Sequence, residues 1–244
     1  MLQNIKALTG HKLAAFDGPI GHVKDFYFDD ATWFVRYVVV DTGDWMPGRL
    51  VLLAPHALGR WDSERKVLCV NLTRHQIEHS PPIERHQPVS RQFEIDYYRY
   101  YGWPAYWEGA AMWGLGGFPA VLPPSRDAIE ALQPIRHPHR SDPHLRSTNA
   151  VLGYAVAGRD GPIGELRGFM LDDKSWAIRA LAVEAGPWYA GKEIFVLPDQ
   201  VRGISYEDSA IQVSLTQDEI RRTVAHHVAN PAPATGVAAD FPRE

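Results

Sequence analysis

The sequence is poor in the features that mark secreted, membrane-spanning and nucleic-acid-binding proteins. It has 244 residues and one cysteine, Cys69, so no disulfide can form within the chain and we expect a cytoplasmic protein. Its net charge of −4 provides no overall basic field to attract RNA or DNA. The first residues lack the basic start and long apolar run of a signal peptide. Cys69 lies in the apolar run Val67-Leu68-Cys69-Val70, which we interpret as a packed strand rather than a reactive site.

Motifs that carry chemistry are equally scarce. The sequence contains no Gly-x-Ser-x-Gly, His-Glu-x-x-His or Cys-x-x-Cys pattern. His137, His139 and His144 do not have the spacing of metal ligands, and the adjacent His226 and His227 would point about 100° apart on a helix. We therefore predict no catalytic residue, no cofactor and no metal site, and we expect that the protein is not an enzyme.

The most prominent feature of the sequence is an internal repeat. Residues 10–78 align with residues 153–221 without a gap, at a constant offset of 143, and 22 of the 69 aligned positions are identical. Such a repeat predicts two copies of one small fold. Twelve duplicated turn, packing and charged residues form its signature: Gly18, Gly21, Asp29, Asp30, Trp33 and Arg36, matched by Gly161, Gly164, Asp172, Asp173, Trp176 and Arg179.

Each copy is rich in short strand signals. Residues 32–41 of the first copy, Thr-Trp-Phe-Val-Arg-Tyr-Val-Val-Val-Asp, are β-branched or aromatic at most positions and apolar on both faces, which predicts a strand covered on both sides. Thr73 with Gln76, and Thr216 with Glu219, predict capping boxes that open a helix at the end of each copy. The fold class is therefore mainly β: two small closed barrels in tandem, each followed by a helix. We further expect the outward faces of residues 32–41 and 175–184 to pack against each other.

The duplicated acids and arginines have a structural explanation. Asp29-Asp30 and Asp172-Asp173 begin tight connections, where short acidic side chains bond nearby backbone N–H groups, so we interpret them as turn formers rather than as a catalytic pair. Arg36 and Arg179 lie within strands and need an acceptor, and we predict that the acids of their own repeat supply it. A bound anion is the alternative.

These residues carry a resemblance to a known family. Each copy resembles the PRC-barrel domain, a small β-barrel found in the photosynthetic reaction centre H subunit and in the C-terminal part of a bacterial ribosome maturation factor. The matching segments of the first copy are residues 8–10, 18–21, 29–30, 33–40 and 48–55. The resemblance implies two PRC-type barrels, at residues 1–80 and 150–228, and a docking role of the kind that the family serves.

The segment between the copies, residues 81–149, has a different composition. It is rich in proline and holds five of the ten tyrosines and three of the eight tryptophans. We predict an irregular segment that packs over the barrels, docks a protein or lies at a membrane surface. Eight aromatic residues are its candidate protein contacts: Tyr97, Tyr98, Tyr100, Tyr101, Trp103, Tyr106, Trp107 and Trp113. Residues 229–244, rich in proline and alanine, are predicted to form a mobile tail.

The functional expectation that follows is a non-enzymatic docking or scaffold module that binds itself or another protein. Three alternatives stay open at this point. By analogy to the two family members, the chain could serve ribosome assembly or a membrane complex as a peripheral subunit. The third alternative is a small molecule bound between the barrels near Arg36 and Arg179.

Overall fold

The computed structural model describes residues 2–62, 65–81, 91–103 and 144–222. The first repeat contributes six strands and a short helix: β2 (Lys12–Ala15), β3 (Gly18–Asp29), β4 (Val35–Asp41), β5 (Leu50–Leu53), β6 (Leu58–Asp62), β7 (Val67–Val70) and α2 (Arg74–Glu78). The second repeat contributes six matching strands, followed by a helix over residues 217–222: β9 (Ala155–Ala157), β10 (Pro162–Asp172), β11 (Ile178–Ala185), β12 (Glu193–Val196), β13 (Val201–Ser205) and β14 (Ala210–Val213). The mainly β prediction is confirmed.

Each repeat forms one sheet of the same topology, and neither sheet closes. The strand order is β5-β4-β3-β2-β7-β6 in the first repeat and β12-β11-β10-β9-β14-β13 in the second. No ladder joins β5 to β6, or β12 to β13, among the described strands, so the predicted closure into barrels is wrong at the level of backbone pairing. In the first repeat, two backbone groups at the outer edge of β5 bond a tyrosine hydroxyl, as described below.

The two repeats exchange their N-terminal arms. One arm consists of β1 (Leu2–Asn4) and α1 (Ile5–Leu8), and the other of β8 (Leu145–Ser147) and α4 (Thr148–Val151). Strand β1 pairs antiparallel with β10 of the second repeat, while β8 pairs antiparallel with β3 of the first. The registers agree under the same offset of 143, since Leu2 lies opposite Asp172 and Leu145 lies opposite Asp29. The exchange is therefore reciprocal, and the structural repeat extends back at least to Leu2 and Leu145.

The exchanged arms also carry apolar side chains into the shared core. Ile5 and Leu8 of α1 and Val151 of α4 are almost fully buried, in one apolar cluster that contains residues of both repeats. Burying a side chain of this size contributes about 1.5–3 kcal/mol. The arms thus join the two repeats into one body through packing as well as through strand pairing.

A second contact lies where the pseudo-twofold axis passes between the repeats. Trp33 and Trp176 both have left-handed backbone conformations, with φ of 61° and 57°. Their carbonyl oxygens accept hydrogen bonds from Ile178 and Val35 of the opposite repeat, each at 2.8 Å. The predicted packing of the outward strand faces against each other is wrong, because the outward face of β4 is covered by a helix from the connecting segment.

Two duplicated glycines lie where the backbones of neighbouring strands approach each other too closely for a side chain. A Cβ atom at Gly21 would lie 2.0 Å from the carbonyl oxygen of Asp41, and one at Gly164 would lie 2.0 Å from that of Glu184. Real Cβ atoms do not approach backbone so closely, so only glycine lets β3 pass β4, and β10 pass β11, at these positions.

The capping predictions are confirmed in both repeats. Thr73 and Gln76 form a reciprocal capping box at α2, and Thr216 and Glu219 form the same pair of bonds at residues 217–222.

Cys69 lies in β7 as predicted, but its side chain is exposed, because β7 alternates between the core and solvent and Cys69 falls on the outer face. Within the described residues, no helix has the length and apolar character needed to cross a membrane.

Candidate docking surface

The outer face of the first repeat is an apolar platform. Tyr37 and Val39 of β4 point away from the main core, beside Leu52 of β5 and the following Ala54. All four are almost fully buried, in a second apolar cluster separate from the core. The prediction that both faces of this strand are covered is confirmed.

The covering element is helix α3 (Arg91–Tyr101). Its positions 94, 97, 98 and 101 follow the i, i+3, i+4, i+7 spacing of one helix face, and Tyr97 and Tyr98 are 1% and 3% exposed against the platform. The prediction of an irregular segment is thus wrong for these eleven residues. The spacing was visible in the sequence, but the density of aromatic residues and the prolines on either side obscured it.

A buried ion cluster fastens α3 to the platform. The Arg36 guanidinium lies 2.9 Å from a carboxylate oxygen of Asp29 and also forms a short salt bridge with Glu94, whose side chain is fully buried. The Tyr37 hydroxyl donates to the same Glu94 carboxylate at 3.0 Å, and burial raises the pKa of Tyr37 well above its usual value. The prediction that Arg36 pairs with an acid of its own repeat is confirmed, and Glu94 is an additional partner that sequence reasoning missed.

Tyr97 caps the open edge of the sheet. Its hydroxyl donates to the Leu52 carbonyl and accepts from the Ala54 amide, each at 3.0 Å. Burial raises the pKa of Tyr97 well above its usual value, so it stays neutral and can serve both bonds. These two backbone groups at the open edge are therefore satisfied without another strand.

The remaining predicted contact residues divide into three groups. Tyr97 and Tyr98 are used inside the chain, as just described. Tyr100 is 41% exposed, while Tyr101 and Trp103 are half-buried and stack on each other with centroids 4.5 Å apart. Tyr106, Trp107 and Trp113 lie outside the described residues. Among the described members of the predicted set, the side chains that reach the surface near α3 are thus Tyr100, Tyr101 and Trp103.

A polar cavity of about 420 Å³ lies beside these three rings, lined also by His56, Asn71 and Gln76. Trp103 stacks on the His56 ring with centroids 5.6 Å apart, and burial lowers the pKa of His56, which keeps the imidazole neutral near pH 7. The described lining therefore carries no formal charge at that pH.

The matching outer face of the second repeat differs in the exposure of its side chains. Arg179 takes the place of Arg36, but its side chain is 51% exposed and its distance to Asp172 is 3.8 Å. Phe195 takes the place of Leu52 and is 53% exposed. Ala180 and Ala182 take the places of Tyr37 and Val39 and are almost fully buried, so the exposed groups named on this face are Arg179 and Phe195. None of the described residues covers Phe195 as α3 covers Leu52.

The first acid of each duplicated pair, Asp29 and Asp172, forms the predicted turn. Asp29 accepts the backbone N–H groups of Ala31 and Thr32, which is the expected turn. Asp30 binds Arg146 of the exchanged arm at 2.5 Å and the preceding His144 at 2.8 Å. Asp172 accepts hydrogen bonds from the Ser175 hydroxyl and the Lys174 backbone amide in the corresponding turn.

Among the described side chains, no group of three histidines, cysteines or acids is placed to hold a metal ion.

A second cavity, of about 340 Å³, lies between the repeats. Helices α1 and α4 line it with Ile5, Lys6, Thr148 and Asn149, and Phe169 lies at its wall. It does not involve Arg36 or Arg179, so the residues predicted for a ligand between the repeats are not those that line this space.

Comparison with known proteins does not assign the chain to a family: no family model matches the sequence, and no curated protein does.

Proposed function

We propose that the chain is a non-enzymatic docking module of the PRC-barrel type, which binds other proteins through the outer face of its second repeat. One observation carries this proposal. Two faces related by the internal repeat exist in one chain, and the first holds a helix while the second exposes an arginine and a phenylalanine at the same positions.

The occupied face supports the proposal because it demonstrates a binding mode. It holds a helix through a charged anchor, Arg36 with Glu94, and through the aromatic side chain of Tyr97. Arginine and aromatic residues are also the side chains that most often dominate protein–protein interfaces. The face of the second repeat exposes one residue of each type, Arg179 and Phe195.

An affinity pull-down from native cells tests the proposal. The bait is the full chain, compared with the double variant Arg179→Glu/Phe195→Ser and with Phe16→Ser as control. Phe16 is 74% exposed and belongs to the first repeat. We expect proteins that the intact chain and the Phe16→Ser variant recover and that the double variant loses.

Two results would contradict the proposal. Recovery of the same proteins by all three baits would show that this face is not the docking surface. Recovery of RNA alone, lost after nuclease treatment, would instead support the ribosome-assembly alternative.

A further inference from the structure

The polar cavity beside the end of α3 has the lining of a small-molecule site. We propose that it binds an uncharged sugar ring, which it recognises through hydrogen bonds from side-chain amides and from the edges of aromatic rings. The cavity lies on the first repeat and α3, whereas the docking surface proposed above lies on the second repeat. This inference therefore goes beyond the docking function and does not depend on it.

The cavity forms where three segments meet. Its volume of about 420 Å³ is within the range of small-molecule pockets, roughly 300–1,000 Å³. All of its described lining residues except Leu72 are exposed or half-buried, so a ligand can reach them from solvent. They come from the short turn after β5, from the end of β7 with α2, and from the end of α3: His56; Asn71, Leu72 and Gln76; Tyr100, Tyr101 and Trp103.

The described lining favours a ligand without charge. Asn71 and Gln76 contribute neutral carboxamides, and burial lowers the pKa of His56, so its imidazole is neutral near pH 7. A charged ligand would lose hydration on entering the cavity and would meet no opposite charge among these side chains.

Several hydrogen-bonding groups at the cavity are left for a ligand. The side-chain oxygen of Gln76 accepts from the Thr73 amide at 2.9 Å, so its NH₂ hydrogens are still available. The Tyr100 hydroxyl donates to the Gln76 backbone carbonyl at 2.9 Å, and its oxygen can still accept. The Asn71 amide and the Trp103 indole N–H have no hydrogen-bond partner among the described residues. Donors and acceptors are thus both present, as the hydroxyl groups of a sugar require.

The aromatic rings at the cavity favour contact through their edges. Trp103 lies between Tyr101 and His56, with ring centroids 4.5 and 5.6 Å apart and planes inclined by 13° and 23°. Both faces of the indole are therefore covered, and a planar ligand such as a nucleobase has no face of Trp103 on which to stack. A sugar ring needs no such face, because its hydroxyls bond to ring edges and amides.

The second repeat does not reproduce this lining. Two of the three matching polar positions carry acids there, and one of these acids pairs with Arg159 at 2.8 Å. The site is thus specific to the first repeat, and the second repeat supplies natural substitutions for testing it. The replacements of His56, Asn71 and Gln76 are Asp199, Ser214 and Glu219.

Isothermal titration calorimetry on the full-length protein tests the proposal, with glucose and N-acetylglucosamine as neutral probes. Gln76→Glu keeps the capping box with Thr73, as Glu219 does in the second repeat, but replaces the NH₂ donors with a negative charge. We expect saturable binding of a neutral sugar that Gln76→Glu and Asn71→Ser each weaken by about tenfold or more. Glu219→Gln, the reverse change at the matching cap, is expected to leave binding unaltered. Equal unfolding midpoints in urea would show that the variants lose binding and not their fold.

Charged sugars provide a second test of the same site. Glucuronate should bind about tenfold more weakly than glucose, and glucosamine about tenfold more weakly than N-acetylglucosamine, because the described lining offers neither charge a partner. A methyl glycoside distinguishes the two sources of a sugar ring: retained binding assigns the site to the end of a glycan, and lost binding assigns it to a free sugar.

Three results would overturn the proposal. They are equal binding by Gln76→Glu and the unaltered protein, equal binding of the charged and neutral members of each pair, and no saturable binding of either neutral sugar. None of them bears on the docking function, which the variants at Arg179 and Phe195 test separately.

Discussion

Replacing Arg36 with methionine is expected to lower the free energy of unfolding by about 3–5 kcal/mol, because the change leaves buried carboxylates without their cation. Glu94 is fully buried and Asp29 is nearly so. Neither can recover its hydration without opening the contact between α3 and the platform. Urea denaturation of the full-length variant, followed by tryptophan fluorescence, measures the change.

The repeat supplies a matched control for this prediction. Arg179→Met removes the counterpart residue, whose side chain is half exposed, and exposed ion pairs contribute only about 0–1 kcal/mol. Adding Glu94→Leu to Arg36→Met should restore part of the lost stability, because it removes one unpaired charge. Equal losses for the two arginine variants would show that the Arg36 cluster does not have the energetic role assigned to it.

Replacing Asp25 with alanine is expected to lower the free energy of unfolding by roughly 2–4 kcal/mol and to loosen the arm that holds α4. The Asp25 carboxylate accepts hydrogen bonds from the Ser147 and Thr148 hydroxyls and from the backbone N–H of Asn149 in that arm. Without the carboxylate, the buried Thr148 hydroxyl loses its acceptor. Denaturation measures the stability, and hydrogen exchange at residues 145–151 measures the loosening.

The other arm again provides a comparison. The counterpart of Asp25 is Gly168, and the Asn4 side chain lies where a Cβ at Gly168 would point. There Asn4 caps α1 by accepting from the Lys6 backbone amide, so Asn4→Ala should cost only about 1 kcal/mol. If Asp25→Ala proves as mild as Asn4→Ala, the bonds of Asp25 do not hold the arm in place.

Local signals in the sequence predicted the parts of the structure that depend on near neighbours. The strands, the turn at Asp29 and the capping boxes each arise from residues a few positions apart, and all were recognisable. The Arg36–Asp29 pair was also recognisable, because both residues belong to one repeat and lie seven positions apart. The repeat itself supplied the relation between the two sheets.

The parts that were missed depend on distant residues. Glu94 pairs with Arg36 across 58 positions, and its segment has no counterpart in the other repeat to draw attention to it. The exchanged arms escaped notice because residues 2–8 and 145–151 share only Leu2/Leu145 and Ala7/Ala150. Their equivalence is visible in their pairing and not in their side chains. The apolar outward face of β4 was recognised, but its periodicity does not reveal whether a strand or a helix covers it.

The exchange of arms makes the two repeats one body, and cutting the chain between them tests this most directly. A protease site inserted between Gly116 and Gly117, outside the described residues, allows the purified full-length protein to be cleaved without denaturation. We expect the two fragments to elute together at a 1:1 ratio on size-exclusion chromatography. They should part more readily in the Asp25→Ala variant. Elution of two separately folded fragments from the unaltered sequence would contradict the shared core and the reciprocal exchange.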